Sequence, residues 1–494
     1  MSHDYPLELS GEEMRRLVDA AMEHIAAHVD SLPEQPSSAT EGGCRLARSL
    51  VEPLPEEGTP FPKLLSLLFE RAVPRSLNTA GPGYLAYVPG GGLLHSAVAD
   101  LIADSINRYV GISGGAPGLV RLEANVVDWF REIVGFPPEA RGILTSGGSL
   151  SALTAIMTAR QERLPEDFLR GVLYFSDQTH HSLAKCARLA GFPAANIRTL
   201  PSDNLFRLRL DALEAAVEED RKRGMTPFLV IGSAGTTNTG AVDPLSDLAD
   251  FCSSQNLWLH VDGAYGGFFL LTEDGRQRLR GIERADSVVL DPHKSLFLPY
   301  GTGALLVRDG EALRRTHSAE ADYLPASRGN DFAVDFSAIS PELTRPFRGL
   351  RVWLPLKMHG IGPFREALEE KLVLARWAAE ELKKIEGIEV VAEPQLSTLA
   401  FRLNPKEVKD AEELNRLNHI LMRRINRRKR VLLTGTRLGD RRDRFVIRIC
   451  VLSFRTHQDR MEMCLEDIRG AVEEVKALRV ERAGFPPPWE GVGR

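Results

Sequence analysis

The sequence predicts an α/β protein with a mostly parallel sheet, on three observations. Beyond residue 92, short apolar runs alternate with helical periods, as in strands joined by covering helices. Each apolar run ends in a glycine or polar cluster, where such sheets place their ligands. Near Pro355 to Pro363 the pattern changes, which marks a smaller α+β region.

Taken in order, the first element is a helix. Ser10 and Glu13 form a capping box, and Met14, Leu17, Val18, Ala21, Met22, Ile25 and Val29 share one face. This stripe needs cover, either from the same chain or from a partner. A polar linker, roughly residues 31 to 60, leads to the patch "AGPGYLAYVPGGG", Ala80 to Gly92. "VVDWFREIV" reads as helix. "GILTSGGSLSALTAIMTARQ" reads as strand, glycine turn and helix, and "GVLYFSDQTHHSLAKCARLAG" repeats that plan. "PFLVIGSAGTT", "LWLHVDGAYGG" and "SVVLDPHKSLFLPYGTGALLV" supply further strands. A helix from Phe364 to Lys384 opens the last region, with strands in "IEVVAEPQLSTLAFRLN" and "RFVIRICVLSFRT". The expected division is a helical segment over 1–93, a large α/β domain over 94–362 and a small α+β domain over 363–494.

The chain has 494 residues, 43% hydrophobic and 26% charged, the balance of an ordinary globular protein. A net charge of -5 argues against nucleic acid as the main partner. No apolar run has the length of a membrane span, and the first residues do not resemble a signal peptide. The five cysteines are scattered and suggest no metal clip, so they read as thiols of a reducing cytosol.

Four motifs carry chemistry. "TSGGS", Thr145 to Ser149, is either a plain turn or a phosphate cradle built on Gly148 and Ser149. In "SDQTHHS", His180 is either a helix cap or a plate for a flat ligand. In "HVDGAYGG", Asp262 ends an apolar strand and needs a cationic partner, a ring nitrogen or an arginine. In "DPHK", Lys294 stands between two apolar runs, where burial is expected to strip its proton and leave a nucleophile. Pyridoxal phosphate needs all four: a lysine for its aldehyde, an acid for its ring nitrogen, a plate and an anion cradle.

From about residue 60 to 460 the sequence resembles the group II pyridoxal-phosphate-dependent amino-acid decarboxylases, aromatic-L-amino-acid decarboxylase most of all. The resemblance is carried by "SDQTHHS", "LWLHVDGAYGG", "ADSVVLDPHKSLF", "FRGLRVW" and "RICVLSFRT". It implies the fold type I (aspartate-aminotransferase-like) architecture with a mostly parallel seven-stranded sheet. It implies Lys294 as the Schiff-base lysine, Asp262 as partner of the ring nitrogen, Ala264 beneath the ring and His180 stacked on it and positioning the substrate. Gly148, Ser149 and His293 match the phosphate side, and Thr237 in "AGTTNTG" matches a cofactor contact. Tyr87 and Pro89 resemble the aromatic side of the substrate pocket. The family also implies a homodimer, with the N-terminal segment packed on the partner.

Departures bear on the reaction. Asp291 stands where the family commonly has asparagine, and is expected to accept backbone hydrogen bonds. "VGISGGAPG", Val110 to Gly118, lacks a tryptophan expected there. The segment Ser318 to Pro346 reads as a lid. Counting back from "RPFRGL", Phe336 stands where the family carries a catalytic tyrosine, and Tyr323 in the same loop is the other candidate proton donor. The leading reading is a cytoplasmic decarboxylase turning an aromatic L-amino acid into its amine. An aldehyde-forming oxidative finish, motivated by Phe336, is the alternative. A decarboxylase of acidic amino acids is a third and predicts a basic residue near the substrate. A non-catalytic cofactor-binding protein, a different lyase or an aminotransferase fits the motifs less well.

Overall fold

The computed structural model describes residues 7–318, 334–439 and 443–483. The described residues form two compact units. One draws on Ala86–His419 and Thr434–Phe454, the other on Met1–Leu85, Ile420–Leu433 and Arg455–Arg494.

The first unit is built on a seven-stranded sheet of β1 (Arg141–Thr145), β2 (Gly171–Ser176), β3 (Ile197–Leu200), β4 (Thr226–Ser233), β5 (Trp258–Gly263), β6 (Ser287–Leu290) and β7 (Gly303–Val307). Their order is β1-β7-β6-β5-β4-β2-β3, and only β7 runs against the rest. The central strands are nearly continuous apolar runs because both faces are covered; β2, β6 and β7 are buried at every residue. Helix Gly148–Arg163 packs on five of these strands, among them β5 and β6. β3 has no counterpart in the sequence reading. It is a short edge strand whose residues Ile197 to Thr199 are not fully buried, so it lacks the apolar run that marks the others.

The same unit holds a four-stranded antiparallel sheet of β8 (Ile388–Ala392), β9 (Thr398–Leu403), β10 (Thr434–Leu438) and β11 (Arg444–Cys450), in the order β10-β11-β9-β8. This is the α+β arrangement expected beyond Pro363. β10 was not legible, since "TGTRL" carries glycine and polar residues on a half-exposed strand.

In the other unit the first helix, Gly11–Asp30, starts as its sequence requires. Ser10 Oγ accepts from the Glu13 amide at 3.2 Å, and Glu13 Oε2 accepts from the Ser10 amide at 2.8 Å. No residue of this helix is buried, and Met14 and Met22 are 36% and 45% exposed.

A buried ion pair fixes the chain that follows the loop. Arg345 Nη2 lies 2.5 Å from Glu123 Oε1, both side chains being fully enclosed. Arg345 also donates to the Leu144 carbonyl at 2.9 Å, and Glu123 Oε2 accepts from the Gly349 amide at 3.0 Å. The Arg345 guanidinium stands 4.7 Å over the Phe336 ring. Removing one partner strands the other charge in the core. Arg345→Ala is therefore expected to lower the unfolding free energy by about 3–5 kcal/mol in urea denaturation; a loss below about 1 kcal/mol, the range of an exposed pair, contradicts this account.

Candidate active site

The carboxyl ends of β1, β2, β4, β5 and β6 lie on one edge of the sheet. Since β7 is reversed, its amino end, Gly303, joins them there, paired with Thr145 of β1. The segments leaving these ends enclose a cavity of about 350 Å³. It is lined by Gly148 and Ser149 after β1, His180 after β2, Thr237 after β4, Asp262 and Ala264 from β5, and Asp291, His293 and Lys294 after β6. Every cofactor-side residue expected from the sequence is thus brought to one place. Ser182, Gly235 and Tyr265 line it too; they sit inside the quoted motifs but carried no separate signal.

Lys294 sits on a short helix, Pro292–Ser295. Phe297 ends it in the left-handed region, at φ 66°, a strain of roughly 1–2 kcal/mol for a side chain of this size. The strain is held by neighbours: the Phe297 amide bonds to the Lys294 carbonyl at 3.1 Å, and its own carbonyl accepts from the Leu93 amide at 2.8 Å. Gly90 lies so close that a Cβ there would stand 2.3 Å from the His293 carbonyl oxygen. This explains one glycine of "PGGG".

The Lys294 side chain is 24% exposed, and its Nζ lies 3.0 Å from Asp291 Oδ2. Burial works against the ammonium, but Asp291 and Asp262 outweigh it and raise the lysine above its ordinary pKa. The expectation that burial alone strips this proton is therefore corrected: two nearby carboxylates keep it in place. Asp291 is likewise corrected. Its side chain makes no capping bond to the backbone of its helix, and Oδ1 has no hydrogen-bond partner among the described residues.

His180 meets both readings of its motif. It caps helix His181–Leu189, with Nδ1 2.7 Å from Ser182 Oγ, and it lines the cavity. Burial lowers its pKa, so the ring is neutral at pH 7. His293 is also pushed down by burial. Its Nδ1 lies 2.6 Å from the Thr302 carbonyl, which can only accept, so the proton is on Nδ1 and Nε2 carries a lone pair. Asp262 Oδ1 accepts from the Ala264 amide at 3.1 Å.

Among the described residues no side chain caps the start of helix Gly148–Arg163, so its first amides are available to an anion. Gly147 adopts φ 150°, and a Cβ there would stand 3.2 Å from the His293 ring. A glycine turn, an open helix start, a neutral ring, an acid and a lone lysine in one cavity fit pyridoxal phosphate.

Three expected residues are not at this cavity. Phe336 is 1% exposed, in the core beneath Arg345. Pro89 is buried, and Tyr87 is 57% exposed; neither lines the cavity. Tyr87 is held in the left-handed region, φ 53°, with its carbonyl accepting from Arg448 Nη2 at 2.9 Å. Tyr323 lies outside the described residues. Arg448, which the sequence reading did not single out, is buried on β11 and also donates to the Thr237 carbonyl at 2.5 Å. It ties one cavity-lining segment to the 87–89 stretch.

At Gly303 a Cβ would stand 2.6 Å from Gly147 Cα and 2.8 Å from Asp291 Oδ1. Gly303→Ala should push the cradle turn out of place and weaken pyridoxal phosphate binding by at least about tenfold, or 1.4 kcal/mol, in an equilibrium titration; unchanged affinity would show that the turn can yield.

Comparison with known proteins identifies the family and the cofactor. The model of the pyridoxal-dependent decarboxylase conserved domain matches residues 46–404. Aromatic-L-amino-acid decarboxylase of Bacillus atrophaeus is 37% identical over 470 residues, 95% of this chain and 97% of that protein. An acidic amino acid decarboxylase of Xenopus tropicalis is 32% identical over 367 residues, 72% and 71% of the two chains. Among solved structures, the Oryza sativa TDC with PLP and tryptamine superposes with a TM-score of 0.87 at 25% identity, covering 97% of this chain and 100% of that one. The Rhodiola rosea 4-hydroxyphenylacetaldehyde synthase also gives 0.87 at 25% identity, covering 95% and 99%. The chain belongs to the pyridoxal-dependent decarboxylase family, and its cofactor is pyridoxal phosphate.

Proposed function

We propose that this decarboxylase removes the carboxylate of an aromatic L-amino acid, giving the amine and carbon dioxide. The observation that carries the reading is Lys294, alone in a cavity with His180, Asp262 and the Gly148–Ser149 turn. The aromatic preference rests on the 37% identity to aromatic-L-amino-acid decarboxylase across 95% of the chain.

Bound pyridoxal phosphate supplies an electron sink for the breaking carbon–carboxylate bond. The protein holds and orients. Lys294 Nζ would hold the aldehyde end, and Asp262 would keep a proton on the ring nitrogen. The neutral His180 ring would lie on the cofactor's face and orient the substrate. The Gly148 and Ser149 amides would take the phosphate, with His293 beside them.

Two observations favour an aromatic substrate and an amine product. Arg448 is a buried basic residue near the cavity but does not line it; its Nη2 is spent on the Tyr87 and Thr237 carbonyls and its Nη1 donates to Thr434 Oγ1, which leaves only Nε without a partner among the described residues. It is poorly placed to receive an acidic side chain. Phe336, whose missing hydroxyl motivates aldehyde formation, is enclosed in the core.

Purified protein with pyridoxal phosphate should therefore turn phenylalanine, tyrosine, tryptophan or DOPA into amine without peroxide, followed by mass spectrometry and a peroxide probe. Lys294→Ala should abolish turnover. Aldehyde with matching peroxide would establish the oxidative finish instead, and turnover of glutamate alone would establish the acidic reading.

The working unit proposed is a cytoplasmic homodimer. All five cysteines are unpaired, and among the described residues no helix is long and apolar enough to cross a membrane. The first helix carries its apolar stripe with no buried residue, as a surface awaiting a second copy does. Light scattering should give twice the chain mass, and Met14→Asp with Met22→Asp should shift it towards one chain; a monomeric wild type would refute the dimer.

A further inference from the structure

Asp291 has a place but no assigned task. It is 1% exposed, and its carboxylate lies under the phosphate-side turn. A Cβ on Gly148 would stand 2.9 Å from Asp291 Oδ2, and one on Gly303 2.8 Å from Oδ1. An ionised carboxylate here faces two unfavourable neighbours once the cofactor is bound. One would be the cofactor's phosphate, held by the Gly148 and Ser149 amides. The other is His293 Nε2, 3.6 Å from Oδ2, which presents a lone pair because its proton is on Nδ1. Among the described residues Lys294 is the one cation paired with Asp291, at 3.0 Å. Its positive charge is lost from Nζ when that nitrogen becomes a nucleophile.

We propose that Asp291 is the proton acceptor for Lys294 during cofactor loading, and that it remains protonated while the cofactor is bound. The inference rests on the cofactor reading. The N–H bond at Nζ breaks with its electron pair left on nitrogen, and an O–H bond forms at Oδ2. The pair passes from one positive and one negative charge to two neutral groups. The freed lone pair bonds to the aldehyde carbon, and one water leaves as that condensation completes. A neutral Asp291 no longer sets a charge against the His293 Nε2 lone pair, 3.6 Å away, and no carboxylate charge is left beside the Gly147–Gly148 turn. Asparagine, the family's usual residue here, would be neutral towards the phosphate but could not take the proton.

The other groups facing the pair are Asp262 from β5, His180 from the start of its helix and Cys450 from β11; Arg351 acts on His293 from helix Arg348–His359. Asp262 is the competing acid, and His293 Nε2 the competing base, so the test must distinguish carboxyl from imidazole and one aspartate from another.

Difference infrared spectra of the cofactor-free full-length chain, before and after loading with pyridoxal phosphate, do so. The expected result is a new carbonyl stretch of a neutral carboxyl group, rising with the visible absorbance of the lysine-bound cofactor. It should shift in protein made with carbon-13 aspartate and be lost in Asp291→Asn. Visible absorbance without the carboxyl band overturns the inference alone. So does a band that persists in Asp291→Asn, which assigns the proton to another acid. Should that variant not fold, Asp291→Glu made with carbon-13 aspartate takes its place: the band should then appear without the aspartate shift, and a band that keeps the shift overturns the proposal. No visible absorbance at all overturns the cofactor reading and this inference with it.

Discussion

The site depends on one topological constraint: a reversed strand inserted between two parallel ones. β7 separates β1, which leads to the Gly147–Gly148 turn, from β6, which leads to Lys294. Two strand spacings set these ends roughly 10 Å apart. The gap is spanned at Gly303, the amino end of β7, where no side chain fits. The Asp291 carboxylate occupies the space beside it and reaches the underside of the Gly147–Gly148 turn. The glycines of "TSGGS" and "GTG" are thus parts of one close approach between three strand ends.

That approach also shapes the electrostatics. A lysine alone in an apolar wall would lose its proton, because desolvation penalises the charged form. Here Asp291 stands 3.0 Å away and Asp262 lines the same cavity, and their attraction exceeds the desolvation. The two histidines respond in the opposite direction, since burial dominates for both. The result is a cavity whose proton inventory is defined: a charged lysine beside carboxylates and two neutral rings, one with its tautomer set by the Thr302 carbonyl.

Much of the fold was legible because parallel strands buried on both faces are apolar throughout. β2, β4, β5, β6 and β7 announce themselves this way. β3 and β10 do not, because an edge strand and a half-exposed one need no such run. The residues that line the cavity were legible for a related reason: a polar or glycine cluster at the end of a buried strand has little structural use. Phe336 was not legible in the same sense. Its spacing from "RPFRGL" is a fact of the chain, but where its ring lies depends on Arg345 and Glu123, and Glu123 is more than two hundred residues away in sequence.

The sequence by itself determined the α/β class, the order of the motifs, the family and its cofactor, and it marked out Lys294, Asp262, His180 and the Gly148–Ser149 turn as the candidates to hold that cofactor. These are local properties, set by apolar periodicity and by residues within a few positions of a strand end. The tertiary structure decided what lies between distant segments: that Asp291 pairs with Lys294, that His293 turns a lone pair towards it, that Arg448 bridges Thr237 and Tyr87, and that Phe336 is enclosed. Each of these depends on separations of a few ångströms between groups whose contact the chain order does not encode, and charge, tautomer and burial follow from those separations.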